Sequence, residues 1–528
     1  MSALNSAIGR LEAVGDHCNA IVVKEVRQAL KSRQFVGTFV LLLMVAWGGS
    51  IFGVSMSGDS IEYGSSAQGF FILFFLILCV ASLIIVPFAA FRSIVEERAE
   101  NTLELVQITA LSPRQIIWGK SLSALVQVLV YFSAITPFIA FTSLLPGFDV
   151  VHTAFDLGAL LIASFAFSSV ALAIGAQTKN KISQSFGSLG VIVLAIIGTI
   201  TFVQLSFALG IVMTLDDAET WWLIGFAVFL ALSTSYLCQQ IGIAQLTFES
   251  DNRSSGIRLT VTVQWFVSWL AVLGTTLFPT HGDISLLALV VLSAIYITLA
   301  GLFVTAEGEG LSRRVSRGFP RSRFLRALWV PFLPGGTRGL IFGLSSLALM
   351  SALAATAVAL GVEKTYGHSK FDDMHAAGTM VAYGVIYLGA GAFLTRTFRR
   401  VMSNFSPGHL LAALVLINLL LIVLEFLWHF ISRFQGEGFQ PIDIVNPFLT
   451  YDAIVGHKSG SDIAGVLAAI LAVLALALNL RAMVRATRDV LHNPVRAQIE
   501  LEAARREQGH LVPLDREALE AEAEAAAS

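Results

Sequence analysis

The sequence predicts an all-α, polytopic integral membrane protein with about 12 transmembrane helices and both termini in the cytoplasm. Three observations carry that prediction. Of 528 residues, 55% are hydrophobic and only 13% are charged, whereas a soluble domain carries roughly 25% charged residues. Mean hydropathy is +0.76. Twelve apolar stretches of at least roughly 18 residues, enough to cross a bilayer, recur along the chain. A net charge of −2 gives no signal for nucleic acid, and none is expected as a partner. The three cysteines, Cys18, Cys79 and Cys238, fall in a polar segment and two apolar stretches, which suggests no disulfide framework.

The first 34 residues are polar and amphipathic and do not read as a cleavable signal peptide, so the first span is expected to serve as its own insertion signal. Within 16–34, Lys24, Arg27 and Lys31 share one helical face while Val22, Val26, Ala29 and Leu30 share the other. That pattern predicts an interfacial helix on the inner leaflet; the plainer alternative is a basic flank without further role. Spans follow near 35–55, 70–91, 121–146, 155–177, 187–214 and 221–245, then near 260–279, 284–305, 339–361, 376–395, 409–431 and 463–480. Lys and Arg test the count. With the N-terminus inside, 30 of the 34 basic residues fall in inside segments, and only Lys364, Lys370, Arg433 and Lys458 fall outside. None lies in an apolar span, and a missed span would scramble the alternation.

The stretch 92–120 is dense in charge where its neighbours have none. Asn101 with Glu104 predicts an N-cap and its N3 carboxylate, opening a short helix over 101–109 through Leu103, Leu105, Val106 and Ile108. Ser112, Pro113 and Gln115 predict a second start, with a cap, a proline at the first helical position and an amide at N3. A short helix outside the bilayer is thus joined by a tight turn to a spanning helix.

Glu96-Glu97-Arg98, Asn101-Thr102-Leu103-Glu104-Leu105, Leu111-Ser112-Pro113 and Gly119-Lys120 stand in the order E-R-x-x-x-T-L-E-L-L…T-P-L-S…G-K. Over about 25 residues the chain therefore resembles the type-2 ATP-binding-cassette (ABC-2) permeases, with Gln107 and Ala110 departing from the commonest residues. The resemblance implies that 101–109 is a cytoplasmic coupling helix on which a separate ATPase subunit acts. It implies contacts from Glu96, Glu97, Glu100 and Glu104 to basic residues of that ATPase, packing of Leu103 and Leu105 into its groove, and Lys120 at the inner headgroup level. Lys24-Glu25-Val26-Arg27, with Lys31 beyond, is similar to the elbow helix of that family. The further implications are a six-span permease domain over 35–247, ATP and Mg²⁺ on the partner rather than on this chain, and a second permease subunit forming a homodimer or heterodimer. The expected location is a bacterial cytoplasmic membrane.

The polar loop 248–255 separates a second six-span region, 248–483, from the first. That region has no second copy of the coupling signature. At the matching place lies an arginine-rich loop, 313–338, with Pro320, Pro331 and Pro334, so a divergent repeat and an added module both stand open. The segment from 484 is charged and predicts a soluble helix ending in a disordered Ala/Glu tract.

No motif for ATP hydrolysis is present. Gly119-Lys120-Ser121 follows a helix, and Arg114 stands where a phosphate-binding loop needs glycine. Gly308-Glu309-Gly310 lacks the third glycine of a dinucleotide fingerprint. His368, Asp372 and His375 are spaced i, i+4, i+7 in an outside loop, a weak zinc candidate beside the plainer reading of a solvated loop. Glu425 and His429, an i, i+4 pair near the outer end of the eleventh span, are candidates for substrate contact or headgroup anchoring. The rivals to a permease are an ion-gradient-driven secondary transporter, which usually places ionisable residues at the midplane, and a non-transporting scaffold.

Overall fold

The computed structural model describes residues 20–57, 66–99, 112–178, 180–212, 218–248, 251–275, 286–320, 322–359, 370–401, 407–431 and 439–491. The helix expected at 101–109 and the tail beyond 491 lie outside them. Among the described residues the fold is helical, with no strand.

Helix α1 (Ala20–Lys31) precedes the first span α2 (Arg33–Ser57). The second span, α3, runs through Ser66–Cys79, a π-helical turn Val80–Ile85 and Val86–Ala99. Next come α4 (Pro113–Thr142), α5 (Val150–Gln177), α6 (Lys181–Val212), α7 (Ala218–Leu246), α8 (Ser255–Thr275) and α9 (Leu286–Thr305). Two short helices, α10 (Arg313–Arg317) and α11 (Arg323–Trp329), lead into α12 (Gly336–Ala359), α13 (Lys370–Val401) and α14 (Pro407–Ile431). A 3₁₀ turn (Pro441–Val445) and α15 (Pro447–Val455) precede α16 (Ser461–Leu491). Twelve of these helices are long and apolar enough to cross a membrane, as the composition predicts.

The helices outrun their apolar stretches, because a helix satisfies its own backbone beyond the hydrocarbon as well as within it. The second span ends at Ala99 rather than 91, and the twelfth continues to Leu491 rather than 480, absorbing Arg481, Arg485 and Arg488. The seventh begins at Ser255, so Arg258 lies in a helix and is fully buried. The absence of Lys and Arg from spans therefore holds for the apolar stretches and not for whole helices.

The chain divides into two compact units, essentially α1–α8 and α9–α16. The seventh span, α8, belongs to the first unit and packs on α7, where Gln264 donates to Thr234 Oγ1 at 2.9 Å and the Trp222 indole donates to the Ala271 carbonyl at 3.1 Å. The interior of this unit is aromatic and aliphatic: Phe70, Phe74, Phe75 and Leu78 of α3 pack with Tyr131, Ile135 and Ile139 of α4. The π turn presents the Ser82 carbonyl to the buried Ser164 hydroxyl of α5 at 2.9 Å. Further along α5, a Cβ on Gly175 would stand 3.1 Å from the Phe91 carbonyl, so glycine permits that close approach.

In the second unit α13 and α16 pair closely. A Cβ on Gly389 would sit 2.9 Å from the Ala475 Cβ. Beside it the buried Asn479 amide donates to the Gly389 carbonyl at 3.0 Å and accepts from Arg396. Gly384, Gly389 and Gly391 of the tenth span are thus packing positions, as small residues usually are between membrane helices.

Candidate functional site

The residues singled out on either side of 101–109 converge in the first unit. Helix α1 is amphipathic as expected: Lys24, Arg27 and Lys31 are exposed, Ile21 is buried, and Val22, Val26, Ala29 and Leu30 are partly covered. It packs against α4. At their junction the Lys120 ammonium, only 2% exposed, lies 3.0 Å from Glu25 Oε1 and 3.1 Å from Glu97 Oε1. Lys24, 58% exposed, reaches the same Glu97 oxygen at 3.5 Å. Two cations and two carboxylates from α1, α3 and α4 make a charge-balanced cluster. Balance matters here, because a lone charge taken out of water costs several kcal/mol while a well-placed partner offsets that cost.

The cluster explains a spacing that sequence alone leaves unread. Glu25 faces inward from the polar side of α1, and Glu97 lies in the last turn of α3. The Glu97 carboxylate, for which the resemblance implies an ATPase contact, is engaged by Lys120 and Lys24. Glu96 is exposed and ion-paired with Arg92 at 2.6 Å, one turn back on the same helix. The Lys120 side chain is enclosed by these helices.

The neighbouring ends are also tied. Arg98 donates to the Thr178 carbonyl at the C-terminus of α5, at 2.8 Å. Ser112 caps α4 with the predicted reciprocal pair: its hydroxyl accepts from the Gln115 amide at 3.3 Å, and Gln115 Oε1 accepts from the Ser112 amide at 2.8 Å, with Pro113 opening the first turn. Gly119 is buried one residue before Lys120. Glu100, Asn101, Thr102, Leu103, Glu104 and Leu105 lie outside the described residues, between these two anchored helix ends.

Between α9 and α12, in the second unit, the arginine-rich loop folds on acidic partners. Glu309 Oε1 accepts from the Thr337 amide at 3.0 Å and its hydroxyl at 2.6 Å, and Glu307 accepts from the Gly335 amide at 3.0 Å. Both carboxylates thus sit at the N-terminus of α12, where the helix dipole favours negative charge. Arg338 donates to the Glu309 carbonyl at 2.9 Å, and Arg399 donates to the Ala306 carbonyl at 2.6 Å. The Gly308-Glu309-Gly310 run that fails as a nucleotide fingerprint is a helix-capping loop.

A third cluster gathers where α14 ends. Glu425, His429 and Asp443 bring one ligand-type atom each to within 4.8 Å of one another. His429 Nε2 lies 2.7 Å from Asp443 Oδ1. Asp443, missed in the sequence, is held by the Gln440 amide at 2.7 Å on its other oxygen. Its backbone carbonyl accepts from the Thr450 hydroxyl at 2.9 Å, and the Tyr383 hydroxyl of α13 lies 2.8 Å from that same hydroxyl oxygen. Glu425 is 3% exposed, and among the described residues neither of its oxygens makes a well-formed hydrogen bond, although Asn446 stands beside it. Of the proposed zinc triplet, His368 and the Asp372 side chain lie outside the described residues, while the His375 imidazole packs against Gly465 of α16.

No protein-family model, curated protein or solved structure matches the chain.

Proposed function

We propose that the chain is the membrane-spanning permease subunit of an ATP-binding-cassette exporter, worked by a separate ATPase subunit that supplies ATP hydrolysis. The ordered signature 96–120 is the sequence basis. The observation that carries the reading is the cluster of Glu25, Glu97, Lys24 and Lys120. It ties the ends flanking 101–109 to each other and to α1, while Arg98 ties one of them to α5. A push on 101–109 would then reach α1, α3, α4 and α5 together rather than bending one helix, because packed interiors transmit displacement. Helix α1 serves as the elbow along the inner leaflet, and a second permease subunit completes the transporter.

The docking residues are Leu103, Leu105, Glu100 and Glu104, with Glu96 at the margin. Glu97 belongs to the internal cluster, so reversing its charge would disturb folding as well as docking. The test is purification of the tagged chain from native membranes in mild detergent. An ATPase subunit with measurable ATP hydrolysis is expected to accompany it, and to be lost from a Leu103→Asp/Glu104→Lys variant whose thermal unfolding is unchanged. Purification without any nucleotide-hydrolysing subunit, or undiminished capture by that variant, overturns the reading. The rival gradient-driven transporter rests on buried Glu425; it requires uptake into sealed vesicles under an ion gradient with no ATP present.

A further inference from the structure

Headgroup anchoring does not account for Glu425. An anchoring side chain reaches the interface, whereas this carboxylate is enclosed, with no well-formed hydrogen bond among the described residues, beside a second carboxylate and an imidazole. A buried, unpaired carboxylate costs several kcal/mol and persists where something compensates it. The surroundings are built rather than accidental. His429 lies one turn after Glu425 on α14. Asp443 is fixed by its own 3₁₀ turn through Gln440, and that turn is strapped to α13 by the Tyr383 hydroxyl, which donates to the Ile444 carbonyl at 2.7 Å. The Trp428 indole donates to Gln440 Oε1 at 2.8 Å and joins α14 to the same turn.

We propose that Glu425, His429 and Asp443 form a binding site for a divalent cation of the zinc class. One imidazole nitrogen and two carboxylate oxygens are the donor set of a three-ligand zinc site, with a fourth position left for water. Ligand bonds of about 2.0–2.2 Å place donor atoms about 3.4 Å apart around a tetrahedral ion. The present spread of up to 4.8 Å closes to that by small side-chain rotations, while the 2.7 Å contact between His429 and Asp443 opens slightly. Two carboxylate charges balance the ion. The Gln440 amide on the far oxygen of Asp443 orients that ligand, a common role for outer-shell hydrogen bonds. The cation would pin the 439–460 segment to the end of α14. The site is independent of whether an ATPase drives the chain.

The full-length chain, purified in detergent and stripped with a chelator, is titrated with Zn²⁺ against a chromogenic zinc competitor. One zinc per chain is expected, with affinity weakened about 10-fold or more in each of Glu425→Gln, His429→Ala and Asp443→Asn. Unchanged affinity in Glu425→Gln, or no binding by the unaltered chain at micromolar zinc, overturns the proposal. Because a variant can lose zinc by misfolding, Co²⁺ is added to the unaltered chain as well. Intense visible absorption of four-coordinate cobalt supports the site; only the weak spectrum of six-coordinate cobalt refutes it. Added zinc should also raise the thermal midpoint of the unaltered chain and leave that of Glu425→Gln where it was; an equal rise in both counts against the site.

Discussion

Lys120 is an ammonium with almost no access to water, held by two carboxylates from two other helices. Removing one partner of such a buried pair leaves uncompensated charge, so Lys120→Ala should lower stability by about 3–5 kcal/mol. Lys24 shares Glu97 but is mostly exposed, and exposed pairs contribute about 0–1 kcal/mol. Double-mutant cycles by denaturant unfolding should therefore give a large Lys120–Glu97 coupling and a small Lys24–Glu97 coupling; equal values would remove the distinction. Asp149, the N-cap of α5, offers a pH test. The His152 amide, then the Val151 amide, hold its carboxyl below the usual carboxylate range. A depressed folded-state value stabilises fully above the unfolded value of about 3.9 and is lost as pH falls through the folded one. Because Asp149 is mostly exposed, the effect is small. The native chain should lose a little stability relative to Asp149→Asn below about pH 4, and parallel pH curves would contradict it.

Single helices were largely readable, because their signals are local. Ser112, Pro113 and Gln115 predicted the cap of α4 that forms, since a capping box needs only residues three apart. Ser112→Ala should cost about 1 kcal/mol and speed hydrogen exchange at the Gln115 and Ile116 amides; unchanged exchange would show that tertiary contacts alone hold that turn. Apolar length gave the spans, and the alternation of charge on α1 gave its faces. What stayed hidden were partners distant in sequence. Nothing in Arg98 announces a carbonyl 80 residues away, and nothing in Asp443 announces His429 on a preceding helix. Nothing in the motif around Glu97 announces its ion pair with Lys120, because that pair depends on where α1 and α4 pack. Helix pairing was legible only as permission: Gly389 allowed a close approach, and α16 took it up. Gly389→Leu should accordingly separate α13 from α16 and lower the unfolding midpoint well beyond the same change at Gly378, whose Cβ position is open.

At the scale of the whole molecule, the sequence expectation that both termini share one side of the membrane depends on every one of the twelve long helices crossing, and the basic residues choose which side. Arg314 lies between α9 and α12, and Lys458 lies between α14 and α16. If every long helix crosses, an odd number of spans separates them, so they face opposite compartments. The positive-inside bias predicts Arg314 in the cytoplasm with its six neighbouring basic residues, and Lys458 outside. Both side chains have substantial exposure, so a cysteine at either place should react with a maleimide. Lys458→Cys should be labelled by a membrane-impermeant maleimide in intact cells, and Arg314→Cys only after permeabilisation. Native Cys18 is replaced by serine in both variants, while Cys79 is buried and Cys238 is partly covered. The reverse pattern would place 101–109 away from cellular ATP, and no ATPase could then grip it. Labelling of both in intact cells would mean that a helix between them fails to cross, which breaks the alternation on which the orientation rests.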